Sequence, residues 1–244
     1  MFEPRVALAS LSGESDAAWA REGSANAGAA FLGGVSLDEQ TRNAASKLVA
    51  RDRTEFLPDD PLAFIDGELA ALADAALVPA VNVRTVTTEP LHEAAQLCVS
   101  HDAILELNAH CRQAEMCAVG AGETLLADTD RLCEYVSVAA ETGATVSVKV
   151  RAEVEGVNLE ETAKRVDAAG ADILHVDAMD SEAVIAEVAK SDLFIIANNG
   201  VRGTETVREY VAYGADAVSV GRASDNPTVM ARVRHAVDQF GGAR

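Results

Sequence analysis

The chain is short of aromatic residues, of lysine and of long apolar runs, and each shortage excludes something. Aromatic side chains make up only 4% of its 244 residues, so any core has to be built from aliphatic side chains and alanine. No apolar run approaches the ~20 residues that a membrane-spanning helix needs, and no signal-peptide pattern opens the sequence. A cytoplasmic protein with no membrane association is therefore expected. Only four cysteines occur, Cys98, Cys111, Cys117 and Cys133. A chain of this length without an export signal does not need a disulfide framework, so they are read as reduced thiols. Low-complexity segments and linkers are absent as well, which leads us to expect one domain over residues 1–244.

Charge is the most lopsided property. The formal net charge is -19, and Lys47, Lys149, Lys164 and Lys190 are the only lysines among 20 basic residues. An acidic, alanine-rich, lysine-poor composition points to a halophilic protein. In molar salt the screening length shrinks to about 3 Å, and such a surface repels itself little. The same charge argues against non-specific nucleic-acid binding, which needs a basic face.

What is present is a regular alternation. Eight short apolar segments read as strands: Val6–Ala9, Ala29–Leu32, Val78–Val83, Ala103–Leu107, Thr145–Val150, Asp172–Val176, Leu193–Ala197 and Ala217–Val220. Helical patterns follow most of them, at Leu62–Ala76, Leu91–Val99, Thr129–Thr142, Leu159–Ala169, Ser181–Ala189, Thr204–Tyr213 and Pro227–Phe240. Gly170 and Gly214 stand where helices end, and Ser181 stands where an N-cap belongs. Residues 51–61 read as a loop. Eight βα units in ~250 residues define the expected fold class, α/β, as a (β/α)8 TIM barrel. An open doubly wound sheet would want a Gly-rich dinucleotide fingerprint after the first strand, and none is there.

In such a barrel the C-terminal ends of the strands share one mouth. Those ends carry Ser10 and Ser12, Asn82 and Arg84, Asn108 to Cys111, Lys149 and Arg151, His175 and Asp177, Asn199 and Gly200, and Gly221 and Arg222. Gly200, Gly221 and Arg222 follow strands seven and eight, where barrels commonly bind phosphate. Lys149 and Arg151 share one face by the period of two. Placed in a mouth they need an anionic partner, because buried unpaired charge is costly: a flavin N1–C2=O edge, a phosphate, a carboxylate or neighbouring acids. Cys111, in a loop past a strand end beside His110, is a candidate acid or nucleophile, whereas Cys98 and Cys133 read as packing. His110, Cys111 and Cys117 lack metal-ligand spacing, so no metal is expected.

Taken in order, Asn108-x-x-Cys111, Gly120-x-Gly122-x-x-Leu125-Leu126, Val148-Lys149-Val150-Arg151, Ala169-Gly170-Ala171-Asp172, Ala197-Asn198-Asn199-Gly200, Gly214-Ala215-Asp216…Gly221-Arg222-Ala223 and Asn226-Pro227 resemble the tRNA-dihydrouridine synthases. Their wider kin are the FMN-dependent barrels that include dihydroorotate and dihydropyrimidine dehydrogenases. The resemblance is good from about residue 100 to 230. It implies an FMN-dependent oxidoreductase, with NAD(P)H as a candidate electron donor. Asn82 would stand at the flavin edge in place of a family glutamine, and Lys149 would face the flavin pyrimidine ring. Gly200, Gly221 and Arg222 would hold the FMN phosphate, and Asn108 would place flavin or a pyrimidine substrate. Cys111 would protonate C5 of the pyrimidine while reduced flavin delivers hydride to C6.

Departures from the pattern are local. His110 and Arg112 replace the Gly and Pro that flank the family cysteine, and Asp177 and Met179 replace a His-x-Arg after strand six. The family's C-terminal helical RNA-binding domain has no counterpart in the sequence. A small-molecule substrate is therefore expected, with tRNA requiring a separate RNA-binding subunit. Two other readings stay open. One is a flavin-free lyase or aldolase in which Lys149 forms a Schiff base with a phosphorylated metabolite. The other is a non-catalytic ligand-binding descendant.

Overall fold

The alternation of short apolar runs with amphipathic segments produces eight parallel strands and the helices that cover them. The computed structural model describes residues 1–240. Its first part runs β1 (Val6–Leu8), α1 (Ala17–Gly23), β2 (Ala29–Ser36), α2 (Glu39–Val49), α3 (Pro61–Ala70), β3 (Val78–Arg84) and α4 (Glu89–Ser100). Next come β4 (Ile104–Asn108), α5 (Ala114–Ala118), α6 (Glu123–Ala127), α7 (Thr129–Ala140), β5 (Thr145–Arg151) and α8 (Leu159–Ala168). The chain continues with β6 (Ile173–Asp177), α9 (Val184–Val188), β7 (Phe194–Asn198), α10 (Thr204–Ala212), β8 (Ala217–Val220), a 3-10 turn (Arg222–Asp225) and α11 (Pro227–Phe240). The strands close in sequence order, and β1 pairs with β8 through Val6 opposite Val218. The fold is the expected (β/α)8 barrel. Among the described residues no helix is long and apolar enough to cross a membrane.

Alternation along each strand sorts side chains into two compartments. Outward residues such as Leu8, Leu105, Leu107, Val146, Val148 and Val218 join the helices in the main core. Inward residues at the start of the strands, including Phe31, Ala80, Ile104, Ile173 and Ile196, plug the bottom of the barrel. Two residues further along the strands the plug turns polar: Asn82, Glu106, Ser147, His175 and Ser219 are all buried. A further step reaches Arg84, Asn108 and Lys149, the rim of the mouth.

Several elements differ from the sequence reading. β2 runs on to Ser36 through Gly33 and Gly34, which read as its end, and its register with β3 shifts between Gly33 and Val35. Gly34 has a packing reason: a Cβ there would lie 2.6 Å from Asn82 Oδ1 and 3.1 Å from Arg84 Nε. α1 and α2 were not foreseen, although Asp16 and Asp38 cap them through Trp19 N–H and Thr41 N–H. Ser181 caps no helix; α9 starts only at Val184, and the Ser181 hydroxyl donates to Glu153 Oε1 at 2.6 Å.

Candidate active site

The polar layer is a continuous hydrogen-bonded chain across the barrel. Asn82 Nδ2 donates to Glu106 Oε1 at 2.8 Å, and Ser147 Oγ donates to Glu106 Oε2 at 3.1 Å. His175 Nδ1 lies 2.7 Å from the same Oε2, and its Nε2 lies 2.7 Å from Ser219 Oγ. Asn198 Nδ2 in turn donates to Ser219 Oγ at 2.7 Å. A carboxylate can only accept, so Nδ1 carries the His175 proton and the Ser219 hydroxyl donates to Nε2. Burial pushes the His175 pKa down, in keeping with a neutral ring. Burial works to raise the Glu106 pKa, but His175, Lys149 and Asn82 together hold it below the ordinary value.

Above this layer Asn108 Nδ2 donates to Asn82 Oδ1 at 2.8 Å, while its own Oδ1 accepts the Cys111 N–H at 3.1 Å. The chain of contacts thus runs from the Cys111 backbone through Asn108, Asn82, Glu106, His175 and Ser219 to Asn198. A second device fixes the cysteine loop. Gly122 has φ +61, a Cβ there would fall 2.0 Å from the Cys111 carbonyl, and Glu123 N–H donates to that carbonyl at 2.9 Å. Only glycine permits so close an approach.

The mouth is a cavity of about 750 Å³. Cys111, Asn108, Lys149, Arg151, Asn199, Gly200, Gly221 and Arg222 all line it, so these expected site residues do converge. Asn82 lies one layer lower: it is fully enclosed and reaches the mouth only through Asn108. The Lys149 ammonium donates to Ser10 Oγ at 3.3 Å. Burial lowers its pKa, while Glu106 and Asp177 pull the other way. Arg84 is buried against Glu55 at 2.6 Å and donates to Ser12 Oγ at 2.5 Å. Arg151 pairs with Glu123 at 2.7 Å and also reaches Met179 Sδ at 3.1 Å. Asp177 accepts from Asn199 Nδ2 at 2.9 Å.

Seven lining side chains are basic and four acidic, a positive mouth in a chain of net charge -19. Arg53, Arg112, Arg202 and Arg222 among them have no carboxylate partner among the described residues. His110, half-buried, is held well below the usual imidazole range by burial and by the charges of Lys149, Arg84 and Arg151. Its Nδ1 lies 3.3 Å from Asn108 Oδ1, leaving Nε2 as an acceptor. Cys98, by contrast, is sealed in the core, where burial pushes its thiol up to about 12. Cys133 packs against the core.

Sequence reasoning gave no role to Glu106, Ser147, Asn198 or Ser219. A glutamate between Leu105 and Leu107 in an apolar strand was a readable signal, because a buried charge demands partners. The two serines and Asn198 gave no such signal, since their partners come from other strands.

Fold and site together define a (β/α)8 barrel with a cationic mouth over a buried carboxylate–imidazole layer. A family model described as dihydrouridine synthase matches residues 71–241. The chain belongs to the dihydrouridine synthase family. It is 28% identical over 234 residues to an uncharacterised protein of Methanocaldococcus jannaschii, covering 91% of this chain and 89% of that one. Among solved structures it is similar to DHODH in complex with ferulenol from Eimeria tenella, with TM-score 0.70, 15% identity and coverage of 96% of this chain and 80% of that one. It is also similar to FabK from Thermotoga maritima, with TM-score 0.56, 14% identity and 90% of this chain matched; the match spans only 58% of FabK. At such identities the structural likenesses speak to the fold.

Proposed function

We propose that the chain is a flavin-dependent oxidoreductase of the dihydrouridine-synthase type, holding FMN in the barrel mouth and reducing or oxidising a C=C bond of a pyrimidine-like substrate. The observation that carries this reading is Lys149, a buried ammonium that lines the cavity and spends one proton on Ser10. A cation there suits the pyrimidine edge of a flavin, where charge develops on reduction. The opposite end of the cavity also fits the cofactor. No atom lies within 4 Å of the Cβ position of Gly200, and only Leu11 Cδ2, at 4.0 Å, approaches that of Gly221. That corner leaves room for a phosphate at the ends of β7 and β8, with Arg222 alongside.

When bound, FMN supplies hydride exchange, with NAD(P)H as the proposed electron donor. The protein's own part is the proton. Cys111, held by Asn108 through its N–H and by Glu123 through its carbonyl, presents a thiol to the substrate carbon. Arg84 and Lys149 line the same cavity as Cys111, so the thiolate left after proton transfer would share the mouth with two cations. His110, kept neutral, offers Nε2 as an acceptor for a substrate N–H. The layer from Asn82 to Ser219 fixes the rotamers beneath. The absorbance spectrum tests the reading: flavin bands that stay with the protein through gel filtration after FMN is added support it. A colourless protein that takes up no FMN overturns it.

A second reading rests on the same lysine. Burial that lowers the Lys149 pKa also favours the neutral amine from which a Schiff base forms. Borohydride trapping of a lysine adduct with phosphorylated aldehydes or ketones would favour this lyase chemistry.

A further inference from the structure

The unpaired arginines of the mouth fall in two separate sectors. Arg202 and Arg222 follow β7 and β8, beside the open backbone of Gly200 and Gly221. Arg53 and Arg112 line the same cavity from other loops. Arg53 belongs to the segment after α2, and Arg112 to the loop after β4, directly following Cys111. The two segments are held together: α2 packs on α5 through Leu48 and Met116, and Arg51 forms an ion pair with Glu115. In a closed ring of eight strands, β4, which Arg112 follows, lies opposite β8, and β2, which Arg53 follows, lies opposite β6. One phosphate cannot fill both sectors. If the cofactor phosphate occupies the β7–β8 side, the second pair of guanidiniums, next to the cysteine, is left for the substrate.

We infer that the substrate is a free pyrimidine mononucleotide whose phosphate monoester is held by Arg53 and Arg112. The inference rests on the flavin reading for the position of the base over Cys111. Guanidinium forks suit a phosphate dianion, and a pair of them matches one such group rather than a polyanion. Most basic side chains beyond the mouth are tied to carboxylates, as Arg21 is to Asp74, Arg165 to Asp130 and Arg234 to Asp238. The surface that an RNA backbone would have to cross is therefore acidic and repels it.

Calorimetric titration of the purified protein, with and without FMN, tests this using uridine 5′-monophosphate, uridine and an unmodified tRNA transcript. The nucleotide is expected to bind at least tenfold more tightly than uridine. The double variant Arg53→Gln/Arg112→Gln should lose that advantage while keeping its affinity for uridine and its flavin spectrum. Arg208→Gln, on the exposed face of α10, should change neither. Equal affinity for nucleotide and nucleoside overturns the inference. So does an advantage that survives the double variant, or tRNA binding more tightly than the nucleotide. Arginine-dependent nucleotide binding by a protein that takes up no FMN would sink the flavin reading and leave the phosphate sector standing. Flavin uptake with no preference for the nucleotide would do the reverse.

Discussion

At the scale of single residues, Cys111 and the buried layer beneath it make separable predictions. Cys111→Ala should lower turnover by about 10²–10⁴-fold, the usual worth of a positioned acid, while the flavin spectrum is unchanged; loss of flavin as well would mean that the residue serves binding. Glu106→Gln removes a charge that His175, Asn82 and Ser147 all contact. A hydrogen bond to a charged group is worth about 1.5–3 kcal/mol, and chemical denaturation should show a loss of at least that order. The imidazoles give a pH dependence with a definite sign. His110 and His175 are both held below their ordinary value of 6.5, so the unfolded chain binds these protons more readily. Their contribution is complete above 6.5 and is lost as pH falls. Glu106, held below 4.5, adds a second loss beneath that value. The urea midpoint should be level from pH 8 to ~7 and fall in acid, more shallowly in His110→Asn; an acid limb equally steep in that variant would contradict the assignment. Cys111, Lys149 and the glycine ends were legible because strand ends converge in any such barrel. Ser147 and Ser219 were not, since hydrogen bonds that join β4 to β5 and β6 to β8 leave no local trace.

At the scale of elements, the loop from β4 to α6 depends on one backbone approach. Gly122→Ala forces a Cβ toward the Cys111 carbonyl in a left-handed conformation. A strained alanine of this kind costs about 1–3 kcal/mol, read as a lower melting point, and should also slow turnover by displacing the cysteine. A variant as active and stable as the parent would show that the loop is not held there. The strands were readable from their aliphatic runs, and β8 falls at Ala217–Val220 as expected. β2 was cut short because Gly33 and Gly34 look like a turn, yet Gly34 is needed where Asn82 and Arg84 crowd the strand. α2 left little signal because Glu39 to Val49 is largely polar; only Thr41, Ala44, Ala45 and Leu48 are buried. Asp38, three residues before Thr41, was the available start signal.

At the scale of the molecule, the charge is arranged against itself, a positive mouth within an acidic exterior. Self-repulsion of that exterior is screened by salt, so the melting temperature should rise as KCl is raised from ~0.1 to ~2 M; a flat response would remove the case for adaptation to brine. Closure of the ring through β1 and β8 also has a consequence for biosynthesis. Val6 emerges from the ribosome long before Val218, its partner, has been translated. Until then β1 and β7 remain open edges, prone to pair with other chains. Ser219, which anchors His175, comes from that same last strand. The nascent chain therefore leaves Nε2 of its buried histidine without the Ser219 hydroxyl until the final stave is in place, and completion of the polar layer arrives together with protection from aggregation.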